Sequence, residues 1–238
     1  MLRKALLTLA ALATAGVICF AVVKDEVVTS SDGKMMFVPK RTVSGQTQPV
    51  ARSAPSSAAL VTLFNNIGKA YPKGSYSCCD GYIVAGPDIS SGPEAWVAAA
   101  FTPRADHVVT EVEVALSVQG GTNELVLSLN NDAGGQPGTA IKTWDLQSLP
   151  AAGTCCTTEV RKDGAGIPVT KGTRYWIVVS TKKNSDIQAV WNVNDTNQTS
   201  PRKIAFYCSS QVGECQNNNA WTVEKRSPAP AFAVLGSE

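Results

Sequence analysis

The chain has 238 residues with 21 basic and 19 acidic side chains, seven cysteines and one histidine. No dense Lys/Arg block occurs beyond Lys182-Lys183, so the basic face that neutralises phosphates in a nucleic-acid binder is missing. A lone histidine leaves little room for His-based catalysis or a His-rich metal site.

Met1-Leu2-Arg3-Lys4 is a short basic segment, followed by an apolar run from Ala5 to Val23 and a polar exit at Lys24-Asp25-Glu26. That order is a secretory signal. Cleavage is expected after Ala21, because cleavage after Ala15 would leave an apolar tail on the mature chain. The run also approaches the roughly 20 residues that span a bilayer, so an uncleaved anchor over 5–23 is the alternative reading. Ile18 precedes Cys19 where a lipoprotein signal needs a small residue. With Arg3 and Lys4 removed, the 21 basic side chains become 19 and balance the 19 acidic ones. The protein is therefore expected to be secreted, extracellular or periplasmic, and to meet a membrane only through an uncleaved N-terminal segment.

Residues 24–57 are rich in Ser, Thr, Gln and Lys, contain Pro39, Pro49 and Pro55, and read as a solvated leader. Met35 to Val38 is an apolar patch within it that an edge strand would suit less well than linker. From residue 58 to 238 the chain reads as one β domain. Leu60 to Phe64, Tyr82 to Val84 and Trp96 to Phe101 are the first strands expected. Val112, Val114, Leu116 and Val118 then alternate with Glu111, Glu113, Ala115 and Ser117, one apolar and one wetter face at period two. Gly120-Gly121-Thr122-Asn123 separates that run from Leu125 to Leu129, which predicts a hairpin. Ala140 to Leu146, Tyr175 to Val179, Gln188 to Val193, Ile204 to Tyr207, Trp221 to Val223 and Ala231 to Leu235 bring the set to roughly eleven. No segment sustains helical periodicity, and crossover helices for a parallel sheet have no room. The predicted fold is all-β: an antiparallel β-sandwich or jelly roll, stapled by disulfides.

Val97-Ala-Ala-Ala-Phe-Thr-Pro103, Leu127-Ser-Leu-Asn-Asn-Asp-Ala-Gly-Gly-Gln-Pro-Gly138 and Gly172-Thr-Arg-Tyr-Trp-Ile-Val178 occur in order, with Trp191 and the closing Ala231-Phe-Ala-Val-Leu-Gly236. Together they resemble secreted bacterial β-sandwich proteins of the choice-of-anchor type, R class. The likeness covers about Leu60 to Gly236 and implies an extracellular sandwich without implying an activity. The C-terminus carries no apolar sorting helix or basic tail, so anchorage at that end is not expected.

Six cysteines remain after the signal: Cys78-Cys79, Cys155-Cys156, Cys208 and Cys215. Adjacent α-carbons lie about 3.8 Å apart, below the disulfide range of about 4.4–6.8 Å, so a bond within a doublet is strained. If the doublets sit on neighbouring antiparallel strands, Cys78 faces Cys156 when Cys79 faces Cys155, with the bridges on opposite faces. Cys208 and Cys215 enclose a polar loop suited to a local bridge. Vicinal cysteines are poor zinc ligands, so disulfides are expected and metal is not.

His107 falls in a turn before the Val108 strand and reads as an exposed loop residue. No Gly-x-Ser-x-Gly elbow is present, and an even cysteine count leaves no spare nucleophile. No catalytic residue is assigned. Two-carboxylate hydrolysis needs no histidine, but the acidic residues fall mostly in turns or on wet faces. A polysaccharide-active enzyme is therefore the third reading.

Binding is the first. Asn130, Asn131 and Asp132 open an oxygen-rich loop running to Gly138, where turn chemistry explains every residue and Ca²⁺ or ligand contact are the alternatives. Trp176 reads as core. Trp144 and Trp191 lie near Asp145 and the polar stretch 194–199; each reads as a packing residue or as a ring for stacking sugars. Asn194 and Asn197 begin overlapping sequons that read as polar loop. The leading expectation is a non-catalytic binding or adhesion module with a carbohydrate or surface partner. A structural envelope protein that displays a rigid domain is the alternative.

Overall fold

The computed structural model describes residues 28–29, 36–37, 60–67, 76–89, 93–153, 158–161, 166–194, 204–209, 218–224 and 228–237. They contain β1 (Val28–Thr29), β2 (Met36–Phe37), β3 (Val61–Asn65), β4 (Tyr76–Ala85), β5 (Ala95–Phe101), β6 (His107–Val114), β7 (Leu116–Gly120) and β8 (Glu124–Ala133). The second half holds β9 (Gln136–Gln147), β10 (Thr158–Arg161), β11 (Ile167–Val169), β12 (Tyr175–Ser180), β13 (Gln188–Asn194), β14 (Ile204–Ser209), β15 (Asn218–Glu224) and β16 (Phe232–Ser237). The described region has no helix, and all of its strand ladders are antiparallel.

Two sheets pack face to face in a sandwich-like arrangement. In the larger one, β12, β8 and β9 follow β5 on one side, and β14 and then β15 lie on the other. β4 joins β5 through the Ala85–Ala95 pair and carries β13, then β7. The smaller sheet runs β3, β16, β6, with β10 and β11 both pairing the far edge of β6. Period-two alternation places Val97, Ala99 and Phe101, Leu125, Leu127 and Leu129, and Tyr175, Ile177 and Val179 on one face of the larger sheet. Phe64, Val112, Val114, Phe232 and Val234 face them from the smaller sheet, forming one continuous core.

Three expectations change. The run from Val112 to Val118 is two strands, and it makes no hairpin with Leu125 to Leu129. β6 belongs to the smaller sheet, whereas β7 pairs with β13 in the larger one and β8 pairs with β12 and β9. Ala115 is the corner: its N–H donates to Ala231 O at 3.1 Å, and its carbonyl accepts from the Asn192 N–H at 2.8 Å. Its side chain has no exposed surface. Val112, Val114 and Leu116 nevertheless all face the core, so the alternation was sound and the strand boundary was not.

The alternating glutamates are not on a wet face, because Glu111 and Glu113 are 3% and 6% exposed. Both are engaged in polar interactions, as burying a carboxylate requires. The patch at Met36–Phe37 is not plain linker either: it pairs with β1, and Phe37 pairs with Tyr82 of β4.

Candidate functional site

The outer face of the larger sheet carries a second apolar cluster. Ala98 and Ala100 of β5, Ala205 of β14, and Trp176 and Val178 of β12 are buried there, with Trp221 and Val223 of β15 packed against them. The alanines leave space that two indoles fill. Trp176 is fully enclosed, and its Nε1–H donates to Asp132 Oδ1 at 2.8 Å. The Gly135 N–H donates to the other Asp132 oxygen at 2.9 Å, and Arg174 lies 3.4 Å from the first. Partial burial pushes the Asp132 carboxyl up, but Trp176, Gly135 and Arg174 outweigh it and hold the group below its ordinary range.

At the opposite end of this face the rings are half-exposed. Trp96 and Tyr207 stack with centroids 4.3 Å apart at 19°. Trp221 tilts against both, 6.4 Å from Trp96 and 5.8 Å from Tyr207. The Trp96 Nε1–H donates to the buried Thr181 hydroxyl oxygen at 3.2 Å. Glu94 stands just before β5, with its carboxylate beside the Trp96 indole N–H and the Thr181 hydroxyl. Its backbone carbonyl accepts from the Ser209 N–H at 3.0 Å, tying it to the end of β14. Burial is the main reason the Glu94 carboxyl is pushed up, against the two donors beside it. Burial first, and then the Glu94 charge, pushes the Tyr207 phenol up. The phenol donates to Asn219 Oδ1 at 3.0 Å. A carboxylate, a hydroxyl and three partly open rings thus meet at one edge, outside the main core.

No known family, curated protein or solved structure matches this chain.

The residues singled out from sequence scatter. Trp191 has no exposed surface; it lies in the main core, edge-on to Phe232 at 5.9 Å, and its Nε1–H donates to Ala231 O at 3.0 Å. No face of that ring can stack on a ligand, which corrects the sugar-stacking alternative. Trp144 is half-buried against the main core, on the face of the sheet opposite the aromatic cluster. Its indole N–H is buried without an acceptor among the described residues.

The oxygen-rich loop is mostly strand. β8 and β9 continue to a two-residue turn, Gly134–Gly135, with φ of 67° and 95°, as a tight hairpin turn demands. Asn130 is buried, accepts from Ser128 Oγ at 2.7 Å and donates to Gly138 O at 2.7 Å. Asn131 is exposed, and Asp132 is held by Trp176, Gly135 and Arg174. The side-chain oxygens of Asn130 and Asp132 are thus committed to separate protein donors.

His107 opens β6, half-buried and paired with Val169, and is not an exposed loop residue. Asn194 is 4% exposed and its Nδ2 donates to Ala229 O at 2.7 Å, so that sequon is closed in the folded chain; Asn197 lies outside the described residues. Cys208 is buried and disulfide-bonded. Cys155, Cys156 and Cys215 fall outside the described residues, and of Cys78 and Cys79 only the backbone in β4 is described. β4 and the strand after the second doublet, β10, belong to different sheets, so the described ladders do not make neighbours of them. The N-terminal apolar run is likewise outside the described residues.

Trp96, Tyr207 and Trp221 entered the sequence reading only as strand residues. Their common parity with Ala98, Ala205 and Val223 was visible, but the pairing of β5 with β14 and of β14 with β15 was not.

Proposed function

We propose that the protein is a secreted or cell-surface, non-catalytic binding module that recognises carbohydrate through the aromatic cluster of the larger sheet. The supporting observation is the meeting of half-exposed Trp96, Tyr207 and Trp221 with Glu94 and Thr181. A sugar offers an apolar ring face and directional hydroxyls, and such sites combine flat aromatic surface with a few fixed polar groups. The three ring centroids lie within 6.4 Å of one another, so a ligand would stack over the cluster's outward surface and not between its rings.

The same proposal takes the N-terminal segment as a secretion signal and the winding as a jelly-roll-like sandwich of the choice-of-anchor type. Cys208–Cys215 and at least one bridge between the doublets Cys78-Cys79 and Cys155-Cys156 staple it. An extracellular scaffold of this size benefits from such staples by about 2–4 kcal/mol each. Peptide mapping of the non-reduced protein checks the pairing.

Binding is tested on a glycan array with the wild type and with Trp96→Ala, Glu94→Gln and, as a control on the other face, Trp144→Ala. Circular dichroism establishes folding. Loss of the wild-type signal in Trp96→Ala, a weaker signal for amine-bearing glycans in Glu94→Gln and an unchanged one in Trp144→Ala are expected. A folded wild type that binds no glycan overturns the reading.

A further inference from the structure

We infer that the aromatic cluster selects glycans by charge, taking sugars with a free amine in preference to acetylated or acidic ones. This rests on the carbohydrate reading above and adds the ligand's class. Three observations converge on it. Glu94 spends part of its carboxylate on Trp96 and Thr181, yet a carboxylate offers about four acceptor positions, so capacity remains for an incoming donor.

The faces of Trp96, Tyr207 and Trp221 beside it carry the negative pole of the aromatic quadrupole, which attracts an ammonium and repels an anion. Ring and carboxylate therefore act in the same direction. Lys182, next to Thr181 in sequence, is committed to Glu124 at 3.0 Å and Asp145 at 3.7 Å. Arg174, at the far end of the face, is committed to Asp132 at 3.4 Å. Lys183 is exposed in the turn beyond Lys182.

Titration calorimetry of the full mature protein decides the question. Its ligands are β-linked glucosamine hexamer, the fully N-acetylated hexamer, and an oligosaccharide of equal length bearing carboxylates. The wild type should bind the amine form about tenfold more tightly than the acetylated form, roughly 1.4 kcal/mol, and the acidic one most weakly. Glu94→Gln should bring the amine and acetylated forms within about twofold, with the thermal midpoint unchanged.

Equal wild-type affinity for the amine and acetylated hexamers overturns the inference and leaves the carbohydrate reading standing. So does a preference that survives Glu94→Gln. Failure of all three ligands to bind a folded wild type that binds another glycan on the array overturns the inference alone, and failure on the array as well removes both.

Discussion

Replacing Trp191 by alanine tests the assignment of this ring to the core, and with it the separation of fold from binding site. The side chain has no exposed surface, lies edge-on to Phe232 at 5.9 Å and donates to Ala231 O at 3.0 Å. Truncating a buried aromatic residue to alanine costs about 3–5 kcal/mol, a large share of the ~5–15 kcal/mol that holds a domain folded. The lost hydrogen bond adds little, because Ala231 O also accepts from the Ala115 N–H at 3.1 Å and is not orphaned. Trp191→Phe, which keeps most of the apolar volume, should therefore cost only about 1–2 kcal/mol. Urea unfolding followed by fluorescence and circular dichroism measures both. At about 2–4 °C per kcal/mol for a domain of this size, the alanine variant should melt roughly 10 °C lower. An alanine variant within about 1 kcal/mol of wild type, or one less stable than wild type by no more than the phenylalanine variant is, refutes the reasoning.

The Asp132 clasp should show a pH signature. Its carboxyl is held below the ordinary value of 3.8, so its stabilisation is complete above that value and fades as pH falls through the lower folded value. Asp132→Ala should cost about 2 kcal/mol near neutrality, and the gap to wild type should close in acid; a gap independent of pH counts against the clasp. Gly134, at φ 67° with open space around it, should accept asparagine at under about 0.5 kcal/mol, whereas valine there costs about 1–2 kcal/mol. Calorimetric melting of both variants checks this. At Gly236 a Cβ would overlap the Val108 carbonyl; Gly236→Ala should lower stability by about 2 kcal/mol or more in chemical denaturation, and a neutral result would place β16 wrongly against β6.

Much of the fold was legible because two-fold alternation reports burial directly. Leu125, Leu127 and Leu129 were read as strand and sit in the core, as do Tyr175, Ile177 and Val179 of β12. The alternation is blind to which strands pair. Val112 to Leu116 keeps its apolar phase while the backbone leaves one sheet for the other at Ala115, because a corner can be turned without changing which side chains face inward. Glu111 and Glu113 misled for a related reason: charged residues at alternate positions mark the second face of a strand, not its solvation. The candidate site was less legible still. Asn130 to Asp132 looked like a loop because Asn, Asp and Gly favour turns, yet only Gly134–Gly135 turns. Trp144 and Trp191 drew notice through their polar sequence neighbours, which in β strands point to the other face.

Sequence by itself determined the class of the chain: an absence of helical periodicity, and inward-facing residues recurring every second position across most strands. Those properties are local, and alternation or composition records them. Tertiary structure alone decided that Trp191 closes the main core, that Asp132 is tied to an enclosed Trp176, and that Trp96, Tyr207 and Trp221 meet beside Glu94. The aromatic cluster joins β5, β14 and β15, whose residues are separated by more than a hundred positions between Trp96 and Tyr207. Contact between them depends on strand order, which follows from how the whole set of apolar faces is buried at once and is written in no single segment.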